Sequence, residues 1–149
     1  MKNNSFTVAV LGAGNIGSAV IERLLEVDNE VLNLNLSKVL VSDLSKERDL
    51  DAGLLTTDFD EILNDENIDL VIEVLGGVEP GKGYIKDLLE SGKSVITANK
   101  DIVADCGSEL IQIAQKNNVC LYFEAAVAAG IPVLKLSLIH ISEPTRQAM

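Results

Sequence analysis

The chain has 149 residues, 47% of them hydrophobic, which is enough for one buried core and typical of a single domain. Its formal charge of −11 works against nucleic acid and anionic membrane surfaces, both of which attract Lys and Arg patches, and no stretch approaches the roughly 20 apolar residues that cross a bilayer. With 3% aromatic residues and no Trp, the core must be built from Val, Ile, Leu and Ala, the usual filling of a parallel sheet covered by helices.

Met1 to Ser5 lead directly into a strand without the apolar core of a secretory leader. Cys106 and Cys120 are too few for a disulfide framework and match no metal-ligand spacing, so reduced, buried cysteines in a cytoplasmic protein are expected. Phe6 to Leu11 is a short apolar, β-branched run that stops at glycine, as a buried strand does. From Asn15 the apolar positions Ile16, Ala19, Val20, Leu24 and Val27 recur at helical spacing, punctuated by Glu22, Arg23 and Glu26.

Val39 to Ser42 predicts a second strand ending at Asp43, followed by a solvated loop from Ser45 to Asp51; Leu32 to Ser37, alternating Leu with Asn or Ser, fits either a strand extension or a loop. Asp58 to Asn64 fits a short helix capped by Asp58, and Asp69 to Leu75 a strand halted by Gly76 and Gly77. A helix beginning near Pro80 carries Ile85, Leu88 and Leu89 on one face and stops at Gly92. Ser94 to Ala98 is a strand, Gly107 to Asn117 a helix with Leu110, Ile111, Ile113 and Ala114, and Val119 to Phe123 a final strand. This alternation requires right-handed crossovers and predicts an α/β fold, a doubly wound parallel sheet of the Rossmann type, in a single nucleotide-binding domain.

Gly12-Ala13-Gly14-Asn15-Ile16-Gly17 matches the pattern G-x-G-x-x-G between a predicted strand and a predicted helix, the context its mechanics require. Gly12 permits the tight turn, Gly14 lacks the Cβ that would block a pyrophosphate, and Gly17 allows close packing of the helix. The helix N–H groups and positive dipole end then face the phosphates. Asp43, at the end of the second strand, is the candidate acid for the ribose 2′-hydroxyl of NAD, while Lys46 and Arg48 offer positive charge to the 2′-phosphate of NADP. Both cofactors stay open, although Ser42, where many relatives of the family named below carry Arg, weakens the case for NADP.

Three further segments, in order, resemble the homoserine dehydrogenase family: Val71 to Gly77 (VIEVLGG), Ser94 to Lys100 (SVITANK) and Phe123 to Pro132 (FEAAVAAGIP). The resemblance covers the chain from about Phe6 to Lys135 and implies the NAD(P)-dependent interconversion of L-aspartate 4-semialdehyde and L-homoserine. It further implies that Lys100 is the active-site lysine beside nicotinamide and substrate, where a cation favours the developing alkoxide, and that Thr97, Ala98 and Asn99 line the cofactor groove. Glu124, Val127, Ala129 and Ile131 match positions that hold a monovalent cation such as sodium, mainly through backbone carbonyls. The family continues into a substrate-binding and dimerising region that carries a second lysine and an aspartate, so the full-length protein is expected to be a homodimer.

Simpler roles stand beside these. Glu73 and Glu124 each follow an apolar run and can mark strand ends at the solvent edge, Asn99 can cap a short helix starting at Lys100, and Lys100 can be a surface lysine. Residues 136–149, including the single histidine His140, fit no continuation of the family and look like the translated read-through of a sequencing adapter. The alternative activities are another NAD(P)-dependent amino-acid or semialdehyde oxidoreductase, or an NAD(H)-sensing module without chemistry, which would have no need of Lys100.

Overall fold

The computed structural model describes residues 5–26, 33–46 and 48–123. Strands β1 (Ser5–Leu11), β2 (Asn33–Leu40), β3 (Leu55–Thr56), β4 (Leu70–Glu73), β5 (Ser94–Thr97) and β6 (Leu121–Phe123) form one sheet in the order β3-β2-β1-β4-β5-β6. Every pairing is parallel. Helices α1 (Asn15–Glu26), α2 (Phe59–Leu63), α3 (Gly81–Glu90) and α4 (Lys100–Lys116) complete the alternation. The strand order reverses between β1 and β4, the point where open α/β sheets bind ligands at their carboxyl ends. The expected Rossmann architecture is what forms.

Each face of the sheet has its own core. Val8, Val10, Leu34, Val39, Leu70, Ile72 and Ile96 pack with Val20, Ile21 and Leu24 of α1. Ala9, Leu11, Leu40, Val71 and Val95 pack on the other face with Ile62 of α2, Ile85, Leu88 and Leu89 of α3, and Ile102 and Leu110 of α4. Such central strands are buried on both sides, which is why their sequences run apolar without alternation.

Several boundaries differ from the sequence reading, each for a local reason. β2 occupies Asn33–Leu40 rather than Val39 to Ser42, because the open segment before it is strand. A register shift opposite Val8 and Ala9 leaves Ser37 unpaired. This bulge flips the phase, so Leu34 before it and Val39 and Val41 after it share one face, and no single alternation runs through the element. The two-residue edge strand β3 was not expected and is too short to leave a pattern. In α1 the buried face holds Gly17, Val20, Ile21 and Leu24, while Ile16 is 50% exposed and Val27 lies outside the described residues.

Helix α4 begins at Lys100, not Gly107. Asn99 caps it by accepting from the N–H groups of Asp101 and Ile102, at 3.0 and 3.2 Å, and the non-helical Cys106 (φ −149°, ψ 23°) divides the element. The short capped helix weighed for Asn99 and the longer one from Gly107 are thus consecutive pieces of one element. The cap at Asp58, the start at Pro80 and the stop at Gly92, whose φ is +92°, fall where expected. Cys106 is buried, Cys120 half-buried, and both are free. Among the described residues no helix is long and apolar enough to cross a membrane.

Candidate functional site

Strand β1 delivers the chain to Gly12, where φ is +108° and the N–H donates to the Leu40 carbonyl at 2.9 Å. A Cβ placed on Gly17 would lie 2.3 Å from the Gly12 carbonyl oxygen, so this glycine is dictated by the turn itself. Gly14 differs: among the described residues, a Cβ there would meet no atom within 4 Å. Among the described residues, nothing in the packing calls for a glycine at Gly14. Asn15 and Ile16, beside it, are exposed, and the first turn of α1 carries no acidic side chain. The positive dipole end of α1 therefore meets no acidic side chain from its own first turn.

Asp43 stands exposed just beyond the carboxyl end of β2. Its Oδ1 accepts from the Ser45 hydroxyl at 2.6 Å and the Ser45 N–H at 2.9 Å. These bonds, helped by the Arg48 and Lys46 charges, hold the Asp43 carboxyl below its usual range. The Arg48 guanidinium donates to the carbonyls of Asp43 and Lys46, at 2.8 and 3.4 Å, so this loop carries its acid and its base side by side.

Glu73 is the finding that sequence reasoning missed. It does end β4, as the strand-end reading has it, but away from solvent: it is 0% exposed, with its carboxyl at the carboxyl ends of β4 and β5. Thr97, directly opposite in register, donates its hydroxyl to Oε1, while Oε2 accepts from the Leu75 N–H at 2.9 Å and from Asn99 Nδ2 at 3.4 Å. The Thr97 hydroxyl oxygen in turn accepts from the Asn99 N–H at 3.1 Å. Asn99 Nδ2 also donates to the carbonyls of Leu75 and Gly77, at 3.0 and 2.5 Å. The available signal was a lone carboxylate inside an apolar run immediately before two glycines.

Burial pushes the Glu73 carboxyl up from its ordinary value of 4.5, against the opposing pull of the bonds from Thr97, Asn99 and Leu75. A carboxyl raised on folding binds its proton more tightly in the native state. Its stability contribution is present below 4.5 and fades as pH rises toward the folded value. Urea midpoints of Glu73→Gln are therefore expected to gain on those of the parent as pH is raised from 4.5. Parallel pH profiles would count against a perturbed Glu73.

The structure brings Gly12, Gly14, Asn15, Ile16 and Gly17 together at the switch point, and Thr97, Ala98, Asn99 and Lys100 at the adjoining end of β5. Thr97 and Asn99 are buried and bond inward, Ala98 is half-buried, and Lys100 is exposed at the first position of α4. Glu124, Val127, Ala129 and Ile131 lie outside the described residues, as do residues 136–149 with His140. A cavity of about 390 Å³, lined by Phe6, Asp69, Lys93 and Ser94, sits at the opposite, amino-terminal ends of the strands and forms no part of this site.

Comparison with known proteins agrees with this geometry. The family model for the homoserine dehydrogenase NAD-binding domain matches residues 12–124. The chain is 43% identical over 135 residues to homoserine dehydrogenase of Bacillus subtilis, covering 86% of this chain and 31% of that protein. It is 44% identical over 134 residues to the Mycobacterium tuberculosis enzyme, with 86% and 30% covered. The crystal structure of S. aureus homoserine dehydrogenase superposes with a TM-score of 0.75 at 36% identity, covering 84% of this chain and 33% of that one. The chain thus spans about a third of the length of the relatives it matches. Its glycine turn, its strand order and this match across residues 12–124 together place the chain in the homoserine dehydrogenase family, as an NAD-binding domain.

Proposed function

We propose that this chain holds the NAD(P) cofactor of a homoserine dehydrogenase, an enzyme that interconverts L-aspartate 4-semialdehyde and L-homoserine. The observation that carries the reading is Gly14, a glycine that no atom of the described residues requires, at the start of α1 and beside the switch point. There the backbone of Gly12, Gly14, Asn15, Ile16 and Gly17 cradles a pyrophosphate. Asp43 meets the adenosine ribose, with Lys46 and Arg48 at hand for a 2′-phosphate. When bound, the nicotinamide supplies or takes the hydride. Ala98 and the Asn99 backbone line its side of the groove, Thr97 acts from beneath, and Lys100 places a cation where charge develops on the substrate oxygen.

The same reading assigns residues 1–135 to the nucleotide-binding domain and 136–149 to a non-native tail. Glu124, Val127, Ala129 and Ile131 are assigned to a monovalent cation such as sodium, and the whole enzyme to a cytoplasmic homodimer. The test is calorimetric titration of the chain with NADH and NADPH. Both should bind, and failure of both would overturn the reading.

Asp43→Ala is expected to weaken NADH about tenfold while changing NADPH far less, since hydrogen bonds to a carboxylate are lost for one cofactor and a like-charge repulsion is relieved for the other. Ser45→Ala, which leaves that carboxylate in place, should keep the ratio of the two dissociation constants. An unchanged ratio in Asp43→Ala would remove this residue from the site.

A further inference from the structure

An extended dinucleotide with its pyrophosphate at the Gly12 turn and its adenosine toward β2 must lay its other half across the ends of β4 and β5. Two backbone segments form the floor there: the loop from Val74 to Pro80 and the turn from Ala98 to Lys100. Both are tied to a single side chain. Glu73 takes the Leu75 N–H of the loop on Oε2, the Thr97 hydroxyl at the foot of the turn on Oε1, and the Asn99 amide between them. Asn99 completes the tie by holding the loop carbonyls of Leu75 and Gly77 while capping α4 directly ahead of Lys100. The fit leaves no slack above it, because a Cβ on Gly81, the first residue of α3, would lie 3.1 Å from Glu73 Oε2 and 2.9 Å from Ile102 Cδ1.

The geometry points to Glu73 as the positioning residue of the nicotinamide half of the site: one buried carboxyl that fixes the 74–80 loop and the Asn99–Lys100 turn relative to each other. It touches no cofactor, and it acts through Thr97 and Asn99. Three hydrogen bonds converging on one fully buried group from a strand, a loop and a helix cap exceed what closing off a strand end requires. The adenosine half hangs from β1, β2 and the glycine turn, and among the described residues none of the side-chain hydrogen bonds of Glu73, Thr97 and Asn99 reaches them; the backbone bond from the Val74 N–H to the Leu11 carbonyl, at 3.0 Å, joins the loop to β1 without those side chains. The two halves of a dinucleotide should therefore respond differently when the network is cut.

This assignment rests on the NAD(P) reading above, and the test separates the two. The probes are NADH and ADP-ribose, the latter lacking only the nicotinamide, titrated against the same preparations with the thermal midpoint of each recorded. Glu73→Met, similar in length but unable to accept hydrogen bonds, should weaken NADH about tenfold while ADP-ribose stays within about twofold. Glu73→Gln, which keeps an acceptor, should recover NADH affinity to within about threefold of the parent. Thr97→Val cuts the tie from the opposite strand with little change of shape, and it should shift NADH in the same direction if Glu73→Met fails to fold.

Equal weakening of NADH and ADP-ribose in these variants would reduce Glu73 to a general structural role and overturn the assignment, as would no change in either. A parent chain that binds ADP-ribose but gains nothing from the nicotinamide would overturn the assignment and leave the nucleotide site standing. Binding of neither would overturn both.

Discussion

Purified alone, the 149-residue chain is expected to turn over aspartate 4-semialdehyde at least five orders of magnitude more slowly than a full-length relative. Hydride transfer to an aldehyde needs the substrate held about 3 to 3.5 Å from the nicotinamide and a donor that protonates the new alkoxide. The candidate site offers Lys100 at the edge of the groove, and Glu73, Thr97 and Asn99 are committed to one another beneath it. The chain spans about 31% of the Bacillus subtilis relative, and the family resemblance assigns substrate positioning and the proton donor to the remainder. Positioning alone accounts for about 7 to 11 kcal/mol of barrier lowering, and at about 1.4 kcal/mol per decade the lower figure already removes five decades. The check is NADPH oxidation with the semialdehyde at matched enzyme concentration. Turnover within a hundredfold of a full-length relative would place the catalytic groups inside these residues and refute the division proposed here.

Substitutions at two glycines of the same turn should fail in opposite ways. Gly14→Val should abolish NADH and NADPH binding and leave thermal stability near that of the parent, because its added atoms enter space that no described residue occupies within 4 Å of the Cβ. Gly17→Ala should unfold or severely destabilise the chain, because its Cβ would sit 2.3 Å from one backbone oxygen and 2.8 Å from the carbonyl carbon of Gly12. Relieving such an overlap means moving α1 off the turn, and misfits of this kind typically cost about 1 to 3 kcal/mol or more. Calorimetric titration and urea denaturation of both proteins separate the effects. Retained cofactor affinity in Gly14→Val, or undiminished stability in Gly17→Ala, would contradict the roles assigned to the turn.

The glycine turn was legible because Gly12, at φ +108°, and Gly17, without room for a Cβ, meet backbone requirements that other residue types do not. The fold class followed from apolar runs alternating with amphipathic ones. β2 was obscured by the bulge at Ser37, which splits one strand into two phases, so that the Leu34 and Val39 patterns look unrelated until the shift is known. The start of α4 was obscured because Ile102 is the one apolar residue of its buried face before Cys106, although Ile102, Cys106, Leu110 and Ala114 keep a four-residue spacing across the non-helical Cys106. Glu73 shows a deeper limit: its meaning lies in Thr97 and Asn99, 24 and 26 positions away, and a carboxylate at a strand end looks the same in sequence whether it meets water or a ring of donors.

The two-sided core has a consequence for how the strands find their alignment. In a sheet with one wet face, a one-residue slip throws apolar side chains into water and is rejected at once. Here both faces of the central strands are oily, Val8 and Val10 on one side, Ala9 and Leu11 on the other, so a slip exchanges one hydrocarbon layer for another at little cost in solvation. The polar residues at the tips remove that freedom. Glu73 and Thr97 stand opposite each other, and any displacement of β4 along β5 strands a carboxyl among side chains that offer it no donor, a penalty of several kcal/mol. At the other end of β4, the Thr7 N–H donates to the Asp69 carboxylate at 2.8 Å and pins β1 against the start of that strand. The middle of the sheet is featureless grease, and pegs at its rims set the register.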